Sequence, residues 1–150
     1  MHINFTSGVS TRLLYVTIFL ALYLTSLFLP AFHLANGNVT DSLVILLLGW
    51  FAMLSGQFAW IANSFALAAV GFYLSGSFRK SFWLALLAAV ASLNTFTMIG
   101  EEVVLDEGGR SSKVVQLGGG AYFWLASMLL LLTCCATYAW RERALAKRVA

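Results

Sequence analysis

The chain has 150 residues, of which 61% are hydrophobic and only 10% are charged, with a formal net charge of +3. A soluble domain carries about 25% charged residues and about 45–50% apolar ones. A domain of this size cannot hide such an excess of apolar surface, because too much of its surface stays exposed after folding. The composition therefore excludes an ordinary soluble protein and predicts a single domain in a lipid bilayer. The basic residues cluster at the ends of apolar segments, so we expect no nucleic-acid binding.

Residues 13–30 form the first predicted span, because all 18 are uncharged and most are apolar, which is long enough to cross a bilayer. The next apolar stretch, residues 43–74, would measure about 48 Å as one helix, against a hydrocarbon core of about 30 Å. We therefore predict an interfacial helix over residues 41–53, a bend at residues 55–57, and a second span over about residues 56–75. One long, tilted and kinked helix is the alternative.

The third and fourth spans are predicted over about residues 82–99 and 120–140, which are again apolar and long enough. Three glycines at residues 118–120 mark the start of the fourth span, and they suit either a flexible joint or close helix packing. The fold class that follows is an all-α membrane protein with a single transmembrane domain over residues 1–150. Its predicted architecture is a four-transmembrane-helix bundle with an extracytoplasmic interfacial helix and a short β-hairpin.

Small and polar residues within the spans are the candidates for helix packing. Small side chains let helices approach closely, and polar ones hydrogen-bond across helices in lipid. The candidates are Asn94, Ala85, Ala89, Ser92, Gly71 and Ser127. The adjacent Cys134 and Cys135 are interpreted as small packing residues, because neighbouring cysteines on a helix are poorly placed to bridge each other.

The segment between the third and fourth spans predicts a β-hairpin over about residues 102–116. Valine-rich runs flank a Gly-Gly pair, which is a hairpin signal. A two-residue turn there would pair Glu107 with Arg110 and set Val103 opposite Val114. An isolated hairpin is marginal in water, so we expect it to pack on the helix over residues 41–53 or on a partner.

The distribution of basic residues predicts the orientation. Seven of the nine fall at the N-terminus, in the turn at residues 75–81 and in the C-terminal tail: Arg12, Arg79, Lys80, Arg141, Arg143, Lys147 and Arg148. Only Arg110 and Lys113 fall on the other side. Because positive charge concentrates on the cytoplasmic side, both termini are predicted to be cytoplasmic. The outer connections at residues 32–42 and 100–118 then carry a net charge of −3 and the inner side +6.

The sequence offers little that resembles catalytic machinery. None of the four predicted spans has a charge in its interior, where proton relays and ion pathways place them. The motifs of metal hydrolases and phosphate-binding loops are missing. Acid–base chemistry could rely only on Asp41, Glu101, Glu102 and Asp106, which we interpret as solvated loop residues. We therefore expect no enzymatic activity, no metal and no cofactor.

Two stretches suggest a family. Residues 49–67 read GWFAMLSGQFAWIANSFAL and residues 119–129 read GGAYFWLASML. They resemble the Gly-Trp…Trp-x-Ala-Asn-Pro and Gly-x-x-x-Trp-Leu-Ala-Ser-Met motifs of small uncharacterised bacterial inner-membrane proteins with four spans. Trp60, Ala62 and Asn63 match the first motif, whereas Ser64 stands where proline is common. The resemblance implies a bacterial inner membrane and no known activity, and we expect the two stretches to pack together near the outer face.

These observations favour a non-enzymatic accessory or interaction subunit that presents a periplasmic surface. Its expected partner, besides the lipid bilayer, is a membrane or periplasmic protein, or a second copy of the chain in a homo-oligomer. The candidate partner surface comprises Trp50, Gln57, Trp60, Asn63, Glu101, Glu102, Asp106, Glu107, Arg110 and Lys113. The alternatives are a small channel or transporter subunit and an immunity protein against a membrane-active toxin.

Overall fold

The computed structural model describes residues 5–104 and 111–149, and the chain is mostly helical over these ranges. The helices and strands are α1 (Phe5–Leu27), β1 (Pro30–Leu34), β2 (Val39–Asp41), α2 (Ser42–Leu48), a 3-10 helix (Gly49–Ser55), α3 (Ile61–Leu74), α4 (Phe78–Leu93), a second 3-10 helix (Asn94–Met98), β3 (Glu102–Val104), β4 (Ser111–Leu117) and α5 (Gly119–Val149).

Three helical segments within the described residues are long and apolar enough to cross a membrane. They are Ser10–Leu27, Phe78–Met98 and Gly119–Lys147. These segments are consistent with the predicted multi-pass membrane protein. The last one extends further than predicted, because α5 runs without interruption past residue 140 and through the basic tail to Val149.

The long apolar stretch at residues 43–74 is divided, which excludes the single continuous helix. The first 3-10 helix ends at Ser55, and Gly56 follows with a φ of +85°. Glycine adopts this left-handed conformation without the steric cost of a side chain. The helix that follows, α3, has 14 residues and is therefore about 21 Å long. It is shorter than the predicted span, because residues 56–60 lie outside it.

The helices contact each other in the order α3, α4, α5 and α1. Small residues form the contact between α3 and α4, where Ala66 and Ala69 face a row that includes Ala85 and Ala88, all four almost fully buried. Such residues allow two helix backbones to approach closely. The larger side chains of the core, among them Phe19, Tyr73 and Met128, fill the remaining space between the four helices.

Most of the predicted packing residues lie in this interior. Ala85, Ala89, Ser92 and Ser127 are buried. Gly71, in contrast, is exposed on α3, and a Cβ added there would meet nothing within 4 Å. Gly71 therefore makes no close helix contact with the part of the chain that the structure describes.

Near the start of α4, Ser81 connects three helices. Its Oγ donates to the carbonyl oxygen of Ala69 at 2.7 Å and lies 3.0 Å from the Sγ of Cys135. Cys134 and Cys135 are both free and buried, and Cys135 belongs to the interhelical core.

The four strands form one small antiparallel sheet in the order β2-β1-β4-β3. No strand is predicted from the sequence for residues 32–42, so β1 and β2 are a finding of the structure. Their turn contains Gly37 with a φ of +83°, and the backbone N–H of Asn38 donates to Oδ1 of Asn36 at 3.0 Å. The dipeptide Asn36-Gly37 is a strong hairpin signal and would have identified this turn.

The β3–β4 pair exists, but its predicted register is wrong. Val103 lies opposite Ser112, not opposite Val114. The observed pairing begins just before β3, where the N–H of Gly100 donates to the carbonyl oxygen of Val114 and the N–H of Val114 donates to that of Glu101. The shift of two residues leaves the same face of β4 buried, since only a one-residue shift exchanges the two faces of a strand. The predicted pair of Glu107 and Arg110 lies outside the described residues.

The sheet covers one end of the helices, here named the sheet end, and it is fixed there by a second buried cluster. That cluster contains Ala31, Phe32, Leu34, Val114, Leu117 and Ala121. The β3–β4 hairpin therefore packs mainly on β1 and the start of α5, whereas it was expected to pack on the helix over residues 41–53 or on a partner.

The glycines at residues 118–120 are sites of close packing. A Cβ on Gly118 would collide with the carbonyl oxygen of Pro30, and one on Gly120 would collide with Oγ of Ser42 and lie 2.6 Å from the carbonyl oxygen of Leu29. At Gly119 an added Cβ would make only an ordinary contact, at 3.7 Å from a Leu29 methyl group.

Gly120→Ala is expected to lower the thermal unfolding midpoint of the detergent-purified protein, whereas Gly119→Ala is not. Overpacking costs about 1–3 kcal/mol, and alanine at an uncrowded helical position is slightly favourable relative to glycine. Equal midpoints for the two variants would contradict the close approach at Gly120.

Candidate functional site

A cavity of about 110 Å³ lies at the sheet end, between the helices and α2. The end of α1, β1, α2, the start of α3, the segment after α4 and the start of α5 all contribute to its lining. Most of the lining is apolar. Its polar side chains include Ser26, Ser42, Gln57, Asn63 and Thr95. We regard this cavity and the sheet beside it as the candidate functional site.

Asn63 joins three helices at this cavity. Its Oδ1 accepts hydrogen bonds from the hydroxyl of Tyr23 on α1, at 3.1 Å, and from Nε1 of Trp124 on α5, at 2.9 Å. An amide oxygen has two lone pairs, so both are used. Asn63 and Trp124 belong to the two sequence stretches that were expected to pack together, and this hydrogen bond connects them directly.

Trp60 attaches α2 to the start of α3. Its Nε1 donates to the carbonyl oxygen of Leu46 at 2.7 Å. The indole also lies against Gly49, where an added Cβ would come within 2.9 Å of the Trp60 ring. The indole therefore requires a residue without a side chain at position 49, which gives a structural reason for the Gly…Trp spacing.

Asn94 supplies an acceptor to the chain that leads into α3. Its Oδ1 accepts from the backbone N–H groups of Phe58 at 2.7 Å and Ala59 at 3.2 Å. Such N–H groups at the beginning of a helical segment lack partners within the segment. Asn94 thus acts from a neighbouring element in the way that an N-cap residue acts within its own helix. Nearby, the Thr97 hydroxyl donates to Oε1 of Gln57 at 3.1 Å.

The predicted partner surface separates into a part that lines the cavity and an exposed part. Gln57, Trp60 and Asn63 line the cavity and serve to hold elements together. Trp50 is 47% exposed and stacks on Phe51 with ring centroids 3.7 Å apart. This aromatic pair extends an apolar surface formed by the outward side of α2, where Leu43 and Leu47 are also exposed.

The charged members of the predicted surface lie on the β3–β4 side of the sheet. Glu101, Glu102 and Lys113 are exposed. Glu102 lies opposite Lys113 in the strand register, and its Oε2 accepts from the Ser111 hydroxyl at 2.9 Å. The remaining members, Asp106, Glu107 and Arg110, lie outside the described residues.

The cavity is small, and its lining is mostly apolar. Over residues 5–104 and 111–149, no group of three or more His, Cys, Asp or Glu side chains is arranged to hold a metal ion. The cavity is of the same order as an engineered apolar cavity of about 150 Å³ that binds benzene, and it is smaller than the pockets of about 300–1,000 Å³ that hold drug-sized ligands. It can receive a small apolar group.

Asn63→Ala is expected to destabilise the protein by about 1–2 kcal/mol, because two partly buried donors lose their acceptor. Tyr23→Phe removes only one of the two donors and should cost less. Ser64→Ala, at the exposed neighbouring position, is the matched control and should leave the unfolding midpoint in detergent unchanged. If Asn63→Ala and Ser64→Ala have the same midpoint, Asn63 does not hold the three helices together.

Comparison with known proteins identifies no relative of this chain. No family model, no curated protein and no solved structure matches this chain. The family suggested by the two sequence stretches therefore stays a prediction.

Proposed function

We propose that this chain is a non-enzymatic accessory subunit of a bacterial inner membrane, and that its sheet binds a partner protein on the periplasmic side. The observation that supports this most directly is the pair of open sheet edges. In the order β2-β1-β4-β3, both β2 and β3 have only one neighbouring strand among the described residues. The outer backbone groups of an edge strand can pair with an added strand.

The sheet is held firmly enough to act as such a template. One of its faces is buried against the helices through Phe32, Val114 and Leu117, each at most 4% exposed. Both edge strands are only three residues long and carry an acidic residue, Asp41 in β2 and Glu102 in β3. Short and charged edges discourage indiscriminate pairing, so a partner would need a matching segment.

Charge suggests the nature of that segment. Asp41, Glu101 and Glu102 are exposed at the sheet end, and Lys113 is the basic residue beside them among the described residues. An extended partner segment that carries basic residues would therefore be favoured electrostatically.

The proposal includes four spans with both termini in the cytoplasm. Although α3 is short, it packs along α4, and residues 56–60 extend it towards the sheet end. Arg12 near the start of α1 contacts Phe78 at the start of α4 and Tyr138 near the far end of α5. These segments therefore share the end of the molecule opposite the sheet, here named the basic end. Their positive charges favour the cytoplasmic side.

Photo-crosslinking in living cells tests this function. A photoreactive amino acid at Val39 in β2 or at Glu102 in β3 is expected to capture one defined envelope protein, which mass spectrometry of the product identifies. The control position is Leu145, which is 63% exposed on the tail of α5. A product that contains only a second copy of this chain would indicate a homo-oligomer. Capture of the same protein from Leu145, or no product from either edge, would contradict docking at the sheet.

A further inference from the structure

The guanidinium group of Arg12 lies in an unusual environment at the basic end. Its Cζ is 4.6 Å from the ring centroid of Phe78 and 5.7 Å from that of Tyr138. Its Nε is buried and has no hydrogen-bond partner among the described residues. The side chain as a whole is only partly buried, so the guanidinium group is not fully enclosed.

The aromatic rings stabilise this cation only in part. Cation–π contacts contribute less than a charge-assisted hydrogen bond to an anion. A guanidinium group has five N–H donors arranged to match a carboxylate or a phosphate. Among the described residues, the buried Nε of Arg12 is left without such a partner.

A second arginine approaches the same ring. Cζ of Arg141 is also 5.7 Å from the centroid of Tyr138, so the two Cζ atoms are at most twice that distance apart. The ring itself is fixed, because Tyr138 packs against Tyr73 and Phe78 with centroids 5.3 and 5.1 Å away. Two like charges on one ring repel each other, and an anion between them would relieve that repulsion.

The position of this pair along the helices indicates which anion is at hand. Arg12 lies two residues after the start of the apolar segment Ser10–Leu27. Arg141 lies about 33 Å from the start of α5, which is close to the thickness of the hydrocarbon core. Both side chains therefore lie at the membrane boundary, where lipid phosphates are located. Arg79 and Lys80 are exposed at the same end and add to the positive potential.

We propose that Arg12 and Arg141, held by the Tyr138 ring, bind the phosphate group of an anionic phospholipid. The aromatic cluster fixes the two guanidinium groups, and the lipid phosphate accepts their hydrogen bonds. This site lies at the opposite end of the molecule from the sheet. It depends only on insertion in a bilayer and not on the proposed partner.

Native mass spectrometry of the full chain, purified in mild detergent and titrated with phosphatidylglycerol or phosphatidylcholine, tests the proposal. Arg12→Gln is expected to weaken phosphatidylglycerol binding about tenfold, the effect of losing one charge-assisted interaction. Arg143→Gln, which removes the same charge from the exposed tail of α5, should change binding less than about twofold. Arg12→Lys keeps the charge but loses the planar fork, so its affinity should fall between those of the wild type and Arg12→Gln. This variant serves as the test if Arg12→Gln does not fold.

Inorganic phosphate added in excess distinguishes the source of the phosphate group. Retention of phosphatidylglycerol supports a lipid site, whereas displacement shows that free phosphate occupies it and overturns the assignment to lipid. Equal losses for Arg12→Gln and Arg143→Gln would overturn the site itself, because general surface charge would then suffice. Equal binding of the two lipids would overturn it as well.

Discussion

A chain that breaks a helix near a membrane must still provide hydrogen-bond partners for the backbone and side chains at the break, because acyl chains offer none. The break between α2 and α3 meets this requirement with side chains from other elements. Asn94 accepts from the N–H groups that precede α3, and the indole of Trp60 donates back to α2. Asn63 completes the arrangement by joining α1 and α5 to α3. The positions of the other elements at the sheet end depend on these contacts.

The sheet packs next to the contacts that Asn63 makes with α1 and α5. Because α1 and α5 are held together at Asn63, Pro30 and Gly118 meet as β1 leaves α1 and β4 enters α5, and the backbones approach more closely than any side chain at position 118 would allow. Phe32 and Leu117 then share a buried cluster with Ala121 of α5. The packing at the sheet end is therefore restrictive, because positions 118 and 120 do not accommodate a side chain.

The sequence predicts the features that depend on local composition. It does not predict strand register or hydrogen-bond partners, which depend on residues far apart in the chain. Apolar length identified the long helices, and Gly56 identified the break, because both act within a few residues. The predicted register of β3 and β4 was wrong, because the pairing follows the hydrogen bonds of Val114 with Gly100 and Glu101, which the composition of the Gly-Gly segment does not reveal. Asn63 was assigned to the candidate partner surface, and its donors, Tyr23 and Trp124, could not be chosen among the many aromatic residues. The β1–β2 hairpin was not predicted, although the dipeptide Asn36-Gly37 indicates such a turn.

The continuity of α5 gives the molecule a mechanical property. Strand β4 ends at Leu117 and α5 begins at Gly119, after which a single helix of 31 residues reaches Val149. This rod is about 46 Å long, so it exceeds the thickness of the acyl-chain region. The sheet therefore adjoins one end of this helix, and the basic tail forms its other end. A rotation of the sheet about the helix axis would also rotate Arg141, Arg143 and Lys147, because the helix has no break between them.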